Sequence, residues 1–230
     1  MLTIKNYSNQ ILTNISLHLK RDENLIILGS NGAGKSTLAK LLCGVTPSKH
    51  IEIDSQKLHR LSAKERSRYI NYTPPKLEIF DEYIDIKTFL ELSRLYGSIS
   101  VDEALKLLNL KALESKSCQS LSSGEQQRLI LASSLLHGAE ITIYDEPTAN
   151  LDPNHTIEVY QILKSNRIKS RIIITHDLTL AYRLGYPIIY MEQGEILFRG
   201  ESELFFNPLT LKRYFGESLK KIDNYFVVNI

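Results

Sequence analysis

The chain has 230 residues, 43% hydrophobic and 23% charged, with no fixed-period repeat, a composition that supports one substantial core and excludes a disordered or fibrous chain. Its formal net charge is only +2, so no global field draws it to nucleic acid or an anionic membrane, and any anion it binds must be held by a local site. Cys43 and Cys118 share no metal-ligand spacing and read as reduced thiols, MLTIKNYSNQ lacks a secretory-signal pattern, and no stretch approaches the ~18 to 20 apolar residues of a membrane span, so a cytosolic chain is expected.

In chain order, LTIKNY and ILTNISLHL alternate apolar and polar residues, as strands with one wet face do, and predict an N-terminal antiparallel β layer. The continuous apolar run Leu25 to Leu28 reads as a strand buried on both faces. It runs directly into GSNGAGKST, residues 29 to 37, and then into LAKLLCG with helical spacing. This is G-x-x-x-x-G-K-[ST] in the strand-loop-helix context the motif needs. Gly29, Gly32 and Gly34, with Asn31 and Ala33 between them, let peptide N–H groups approach an anion, and the helix start adds its positive end. Lys35 is then expected on the β and γ phosphates, Ser36 on Mg²⁺ and Thr37 on an α-phosphate oxygen. A Gly/Ser linker with an incidental lysine is the plain alternative, and it leaves an eight-position pattern in its correct local context unexplained.

Residues 69 to 80, YINYTPPKLEIF, form a strand-like run stopped by Pro74 and Pro75. From Ile86 to Leu113 the pattern turns helical, with Phe89, Leu92, Leu95 and Tyr96 on one stripe and Ala104, Leu105, Leu107 and Leu108 on another. Ser100 and Glu103 have capping-box spacing. A helical subdomain at about 76–130 follows, and both core packing and a docking surface fit its composition. In LSSGEQQR, residues 121 to 128, Ser122 or Ser123 can cap the next helix and Gly124 permits close approach, making a second anion-binding helix start.

The buried-strand run Ile141 to Tyr144 ends in Asp145-Glu146-Pro147. Where a strand ends, the chain can turn both carboxylates toward one pocket: Asp145 would hold Mg²⁺ through water and Glu146 would polarise the attacking water. A surface turn is the alternative, and acids at the end of a buried strand are costly without a cation or donor. Asp152-Pro153 reads as a helix cap and first helical residue. Arg171 to Thr175 forms another strand ending at His176, for which a structural role is the plain alternative, and Pro187 to Tyr190 a further one. The alternation predicts an α/β fold with a mainly parallel central sheet.

Together, the phosphate loop, LSSGE, IYDEP, ANLD (149 to 152) and THD resemble the nucleotide-binding subunit of ATP-binding cassette (ABC) transporters over essentially the full length. The resemblance implies a single P-loop NTPase domain over 1–230, with ATP and Mg²⁺ as cofactors. It further implies that Ser122, Ser123, Gly124 and Glu125 reach the γ-phosphate held by a second copy, so that two ATP molecules lie between two subunits. By the same resemblance Glu146 is the general base, His176 the γ-phosphate switch, Asp152 the acid that communicates between the two sites, and Tyr7 the aromatic that stacks on adenine. Ser123 stands where the motif usually has a second glycine, Glu125 where glutamine is common, and Asn150 where a small residue is frequent. Pro75 stands where the family commonly has a glutamine that touches Mg²⁺ or the attacking water; proline has neither an amide side chain nor an N–H.

HRLSAKERSRYINYTPP, followed by FLELSRLYG, resembles the ATPases of metal-chelate importers, those for siderophores, haem and cobalamin. In that group a basic helix, here carrying Arg60, Lys64, Arg66 and Arg68, precedes the proline-ended strand. This implies a peripheral subunit on the cytoplasmic side of the cell membrane, with integral membrane permease subunits, a second ATPase subunit and a substrate-binding protein as partners. An exporter ATPase, or a cytosolic or regulatory cassette not coupled to transport, are the alternatives.

Overall fold

The computed structural model of the protein describes residues 1–79, 81–149, 151–165 and 167–228. These form two compact units, residues 1–59 with 172–230, and residues 60–171.

The first unit begins with β1 (Leu2–Tyr7) and β2 (Ile15–Leu19), antiparallel with Leu2 opposite Leu19 and Ile4 opposite Leu17. Alternation places Leu2, Ile4, Ile15, Leu17 and Leu19 in the core. The second strand starts four residues later than ILTNISLHL suggests. The Asn9 carboxamide oxygen accepts the N–H groups of Ile11 (2.8 Å) and Leu12 (2.6 Å), folding that segment into a turn. β3 (Leu25–Gly29) is buried throughout and leads to α1 (Lys35–Leu42). β4 (Ile51–Ile53) and β5 (Gln56–Lys57) complete an antiparallel sheet in the order β2-β1-β4-β5.

In the second unit, α2 (Ala63–Tyr69) starts with a reciprocal Ser62/Glu65 capping box, buries none of its residues, and passes into β6 (Ile70–Thr73). α3 (Ile86–Ser93) and α4 (Val101–Leu107) pack against α5 (Ser123–His137). The stripe expected on α3 is corrected. Ile86 and Leu90 are its buried residues, Leu92 is 69% exposed, and Leu95 and Tyr96 lie beyond the helix. The chain leaves the helix there because the N–H groups of Leu95 and Gly97 donate to the Leu136 carbonyl and that of Tyr96 to the His137 carbonyl. These bonds cover the exposed carboxyl end of α5. The second stripe holds at Ala104, Leu105 and Leu108, which are buried, while Leu107 is half-buried, and Ser100 caps α4 through the Glu103 N–H (3.1 Å). The Glu103 carboxylate pairs with Arg167 (3.3 Å). β7 (Ile141–Asp145) runs parallel to β6, and α6 (Pro153–Lys164) follows. At the start of β8 (Ser170–Thr175), the buried Arg171 guanidinium donates to the carbonyls of Leu163, Ser165 (3.0 Å) and Ile168 (2.7 Å), closing the end of α6.

Back in the first unit, Ile172 to Thr175 of β8 pair in parallel with Leu25 to Leu28. After α7 (Leu178–Leu184), β9 (Ile188–Glu192) pairs in parallel with the other edge of β3. β3 is thus paired on both edges, and every one of its residues is buried, in keeping with its uninterruptedly apolar sequence. β10 (Glu195–Gly200) folds back on β9, and α8 (Ser202–Phe205), α9 (Pro208–Phe215) and the hairpin β11 (Leu219–Ile222) to β12 (Tyr225–Val228) follow. The architecture is mixed α/β with mainly parallel strands, an antiparallel β layer and helices, as the sequence predicts.

Candidate nucleotide-binding site

In the first unit the site grows from the end of β3. Gly29 lies opposite Met191 of β9, and a β-carbon on it would stand 2.3 Å from the Met191 carbonyl oxygen, so a side chain here would part the two strands. The loop then turns through Gly32 (φ 83°) and Gly34 (φ 96°), torsions in which glycine is at ease. Gly34 precedes α1 without a side-chain cap, and the first turn of α1 carries no acid. The first-turn N–H groups and the positive end of the helix are therefore not offset by a local carboxylate. Lys35 is 6% exposed, and its Nζ donates to the Gly29 (2.8 Å) and Ser30 (3.0 Å) carbonyls. The loop is wrapped around its ammonium. Asn31 and Ser36 are exposed, Thr37 is half-buried and Ala33 is buried.

Thr175 lies opposite Leu28, so His176, the first residue past β8, emerges at the same carboxyl edge as the loop. It is exposed, and the next residue, Asp177, caps α7 through the Leu180 N–H (3.0 Å). Tyr7 ends β1, accepts a hydrogen bond from Asn9 Nδ2 (3.2 Å) and meets His50 edge-on at 5.6 Å. Sequence reasoning missed the β9 to β10 turn. There the Gly194 N–H donates to the Ala33 carbonyl (3.2 Å) and the Gly194 carbonyl accepts from Thr13 (2.9 Å), tying the loop to the segment after Tyr7. The signal was Gln193-Gly194 between two strands; both adopt positive φ (47° and 82°).

In the second unit Asp145 ends β7 at 2% exposure. The Tyr72 hydroxyl donates to its Oδ2 at 2.8 Å, and Oδ1 is buried with no hydrogen-bond partner among the described residues. A buried carboxylate oxygen left this way fits a cation or a metal-bound water. Glu146 has φ 50°, a left-handed conformation rare for side-chain-bearing residues, and its carbonyl accepts from Ala149 (3.1 Å). It thus leaves the strand alternation at the residue after Asp145. Backbone strain of this kind recurs at functional sites.

At the head of α5, Ser122 rather than Ser123 is the cap: its Oγ accepts from the Glu125 N–H (3.3 Å), and Glu125 Oε2 accepts from the Ser122 N–H (2.8 Å) and from Lys116 (2.9 Å). Burial would raise the Glu125 pKa, but the Ser122 groups and Lys116 hold it below the ordinary carboxylate range. Gly124 faces the His155 ring, whose Nδ1 would lie 3.1 Å from an added β-carbon. His155 was also missed from sequence. Its Nδ1 is 2.5 Å from Asp152 Oδ2, while Asp152 Oδ1 accepts from the Asn154 (2.9 Å) and His155 (3.0 Å) N–H groups and so caps α6. The His155 N–H, then its ring, lower the Asp152 pKa. Asn150 lies outside the described residues. Thr73 closes β6 by donating to the Ile143 carbonyl (3.1 Å), and Pro74 and the exposed Pro75 follow.

The sequence model of the family described as ABC transporter matches residues 12–149. An uncharacterized ABC transporter ATP-binding protein of Methanocaldococcus jannaschii is 36% identical over 222 residues, covering 91% of this chain and 87% of that protein. The arginine transport ATP-binding protein ArtP of Haemophilus influenzae is 30% identical over 221 residues, covering 88% of this chain and 91% of ArtP. A dimeric ATP-binding cassette solved in a post-hydrolysis state with ADP and Pi is 26% identical with a TM-score of 0.71, covering 88% of this chain and 99% of that one. Some other relatives are longer, and this chain spans 50% of one and 35% of another.

Proposed function

The chain belongs to the ABC transporter family as an ATP-binding, ATP-hydrolysing subunit that uses ATP and Mg²⁺, and from that premise we propose that it drives import of a small solute through separate membrane permeases. The proposed cargo class is an iron chelate, haem or cobalamin. In this reading residues 1–230 are one ABC ATPase domain with a helical subdomain at about 76–130. It sits peripherally on the cytoplasmic side of the cell membrane, pairs with a second copy around two ATP molecules, and receives cargo from a substrate-binding protein.

The observation that carries the reading is the phosphate loop: Lys35 enclosed by the Gly29 and Ser30 carbonyls, at the start of a helix with no acid in its first turn. The peptide groups from Gly29 through Gly34, including Asn31, Gly32 and Ala33, would cradle the phosphates, with Lys35 on the β and γ groups and Thr37 on the α. Ser36 and Asp145 are each assigned to Mg²⁺, which when bound neutralises charge on the phosphate oxygens. Glu146 accepts a proton from the attacking water, His176 contacts the γ-phosphate, and Tyr7 stacks on adenine. Ser122, Ser123, Gly124 and Glu125 meet the second copy's nucleotide, and Asp152 links the two sites. A membrane partner is supported by apolar side chains displayed in the helical region, Leu92 at 69%, Leu95 at 52% and Tyr83 at 87% exposure. The importer subgroup is supported by the basic α2, none of whose residues is buried, ahead of the proline-ended β6.

Purification of the protein from native membranes, with identification of what comes with it, tests this. An importer-type permease and a substrate-binding protein are the expected companions. Capture of an exporter permease would overturn the direction of transport, and absence of any membrane protein would favour the uncoupled cytosolic ATPase.

A further inference from the structure

β6 and β7 are parallel, with Tyr72 opposite Ile143. Paired residues share a face of the sheet, and the face of Ile143 recurs two residues on, at Asp145. The Tyr72 side chain spans that diagonal, and its hydroxyl donates to Asp145 Oδ2 at 2.8 Å. This contact makes the two carboxylate oxygens unlike each other. Oδ2 is engaged by a neutral donor on a rigid strand, while Oδ1 is enclosed and has no hydrogen-bond partner among the described residues. A carboxylate bonded through one oxygen is hindered from rotating, so the acceptor capacity of the other keeps a fixed direction.

The end of β6 sharpens the point. Thr73 is anchored to the Ile143 carbonyl, and the next two residues are Pro74 and Pro75, neither of which offers an N–H or a polar side chain. Among residues 72 to 75, then, the side-chain hydrogen bond to Asp145 comes from the strand rather than from the prolines after it. We propose that Tyr72 is a positioning residue for the metal carboxylate: its hydroxyl holds Asp145 Oδ2 so that Oδ1 is presented to Mg²⁺ or to a water on it. The proposal rests on the assignment of Asp145 to Mg²⁺.

The test replaces Mg²⁺ by Mn²⁺ and follows free Mn²⁺ by electron paramagnetic resonance during titration into full-length protein with ADP, with ADP affinity measured separately in chelator. Tyr72→Phe keeps the ring and removes only the hydroxyl. The expected result is unchanged ADP affinity without metal and a Mn²⁺ half-saturation raised about tenfold, the scale of one hydrogen bond to a charged group. Asp145→Asn should raise it as well, and adding Tyr72→Phe to Asp145→Asn should change nothing further, since the two act as one unit. Wild-type Mn²⁺ dependence in Tyr72→Phe overturns the role of Tyr72 alone, as does an equal loss of ADP affinity with and without metal, which marks a general packing defect. Wild-type Mn²⁺ dependence in Asp145→Asn overturns the metal assignment itself and the proposal with it.

Discussion

Substitution of Gly194 by alanine should damage the phosphate loop from a distance in sequence. An added β-carbon would lie 1.8 Å from the Ile11 carbonyl oxygen, and both partners are backbone, so no rotamer change relieves the overlap. Gly194 also sits at φ 82°, where a side chain costs about 1 kcal/mol. Moving the turn away strains the Thr13 N–H bond to the Gly194 carbonyl (2.9 Å) and the Gly194 N–H bond to Ala33 (3.2 Å). Each is worth about 1 kcal/mol net, and overpacking adds about 1 to 3. The combined loss is about 4 to 6 kcal/mol, or a fall in Tm of roughly 8 to 24 °C for a chain of this size. Gly185→Ala is the matched control: φ is 67°, but nothing lies within 4 Å of the added carbon. It should cost about 1 kcal/mol, roughly 2 to 4 °C. Calorimetry of both variants, with titration of a fluorescent ATP analogue, should show the larger Tm loss and weakened nucleotide binding only for Gly194→Ala. Equal losses, or a Gly194 variant that binds and melts like wild type, would refute the reasoning.

Three other outcomes are expected. Lys35→Ala removes the ammonium held by Gly29 and Ser30 and should abolish measurable ATP affinity; an unaltered titration would count against the loop assignment. Burial pulls the His137 pKa below its ordinary 6.5, so the unfolded chain binds the extra proton more readily. Stability should therefore be fullest above about pH 6.5 and fall as pH drops from there through the folded value. His137→Gln should flatten that slope in urea melts; a slope parallel to wild type would contradict it. Cys118 is 2% exposed and burial pushes its thiol up to about 11, so at pH 8 it should alkylate after the less enclosed Cys43 and react quickly only in denaturant. Equal native rates for both thiols would contradict the packing.

The phosphate loop was legible because its chemistry constrains consecutive positions, and the structure gives each glycine a local reason. Asp152 and Ser100 were legible as caps for the same reason, since the donor that each satisfies lies two or three residues away. What sequence did not reveal is long-range. α3 stops at Ser93 because backbone donors from Leu95 to Gly97 are taken by the end of α5, which no periodicity within 86 to 113 records. β2 begins at Ile15 because a single asparagine side chain satisfies two N–H groups upstream. Tyr72 lies in a run that reads from sequence only as strand-like, and only the register of β6 on β7 shows that it meets Asp145. Pro75 read as a missing glutamine, and the structure adds that the strand before it already reaches the Asp145 carboxylate.

The central claim is hydrolysis of ATP with Glu146 as base, and ATP turnover by Glu146→Gln tests it most directly, in protein whose ATP affinity matches wild type. Turnover should fall by at least about a hundredfold while the ATP-bound dimer accumulates, because the phosphate cradle is intact and only proton acceptance is lost. Wild-type turnover in that variant would contradict the account.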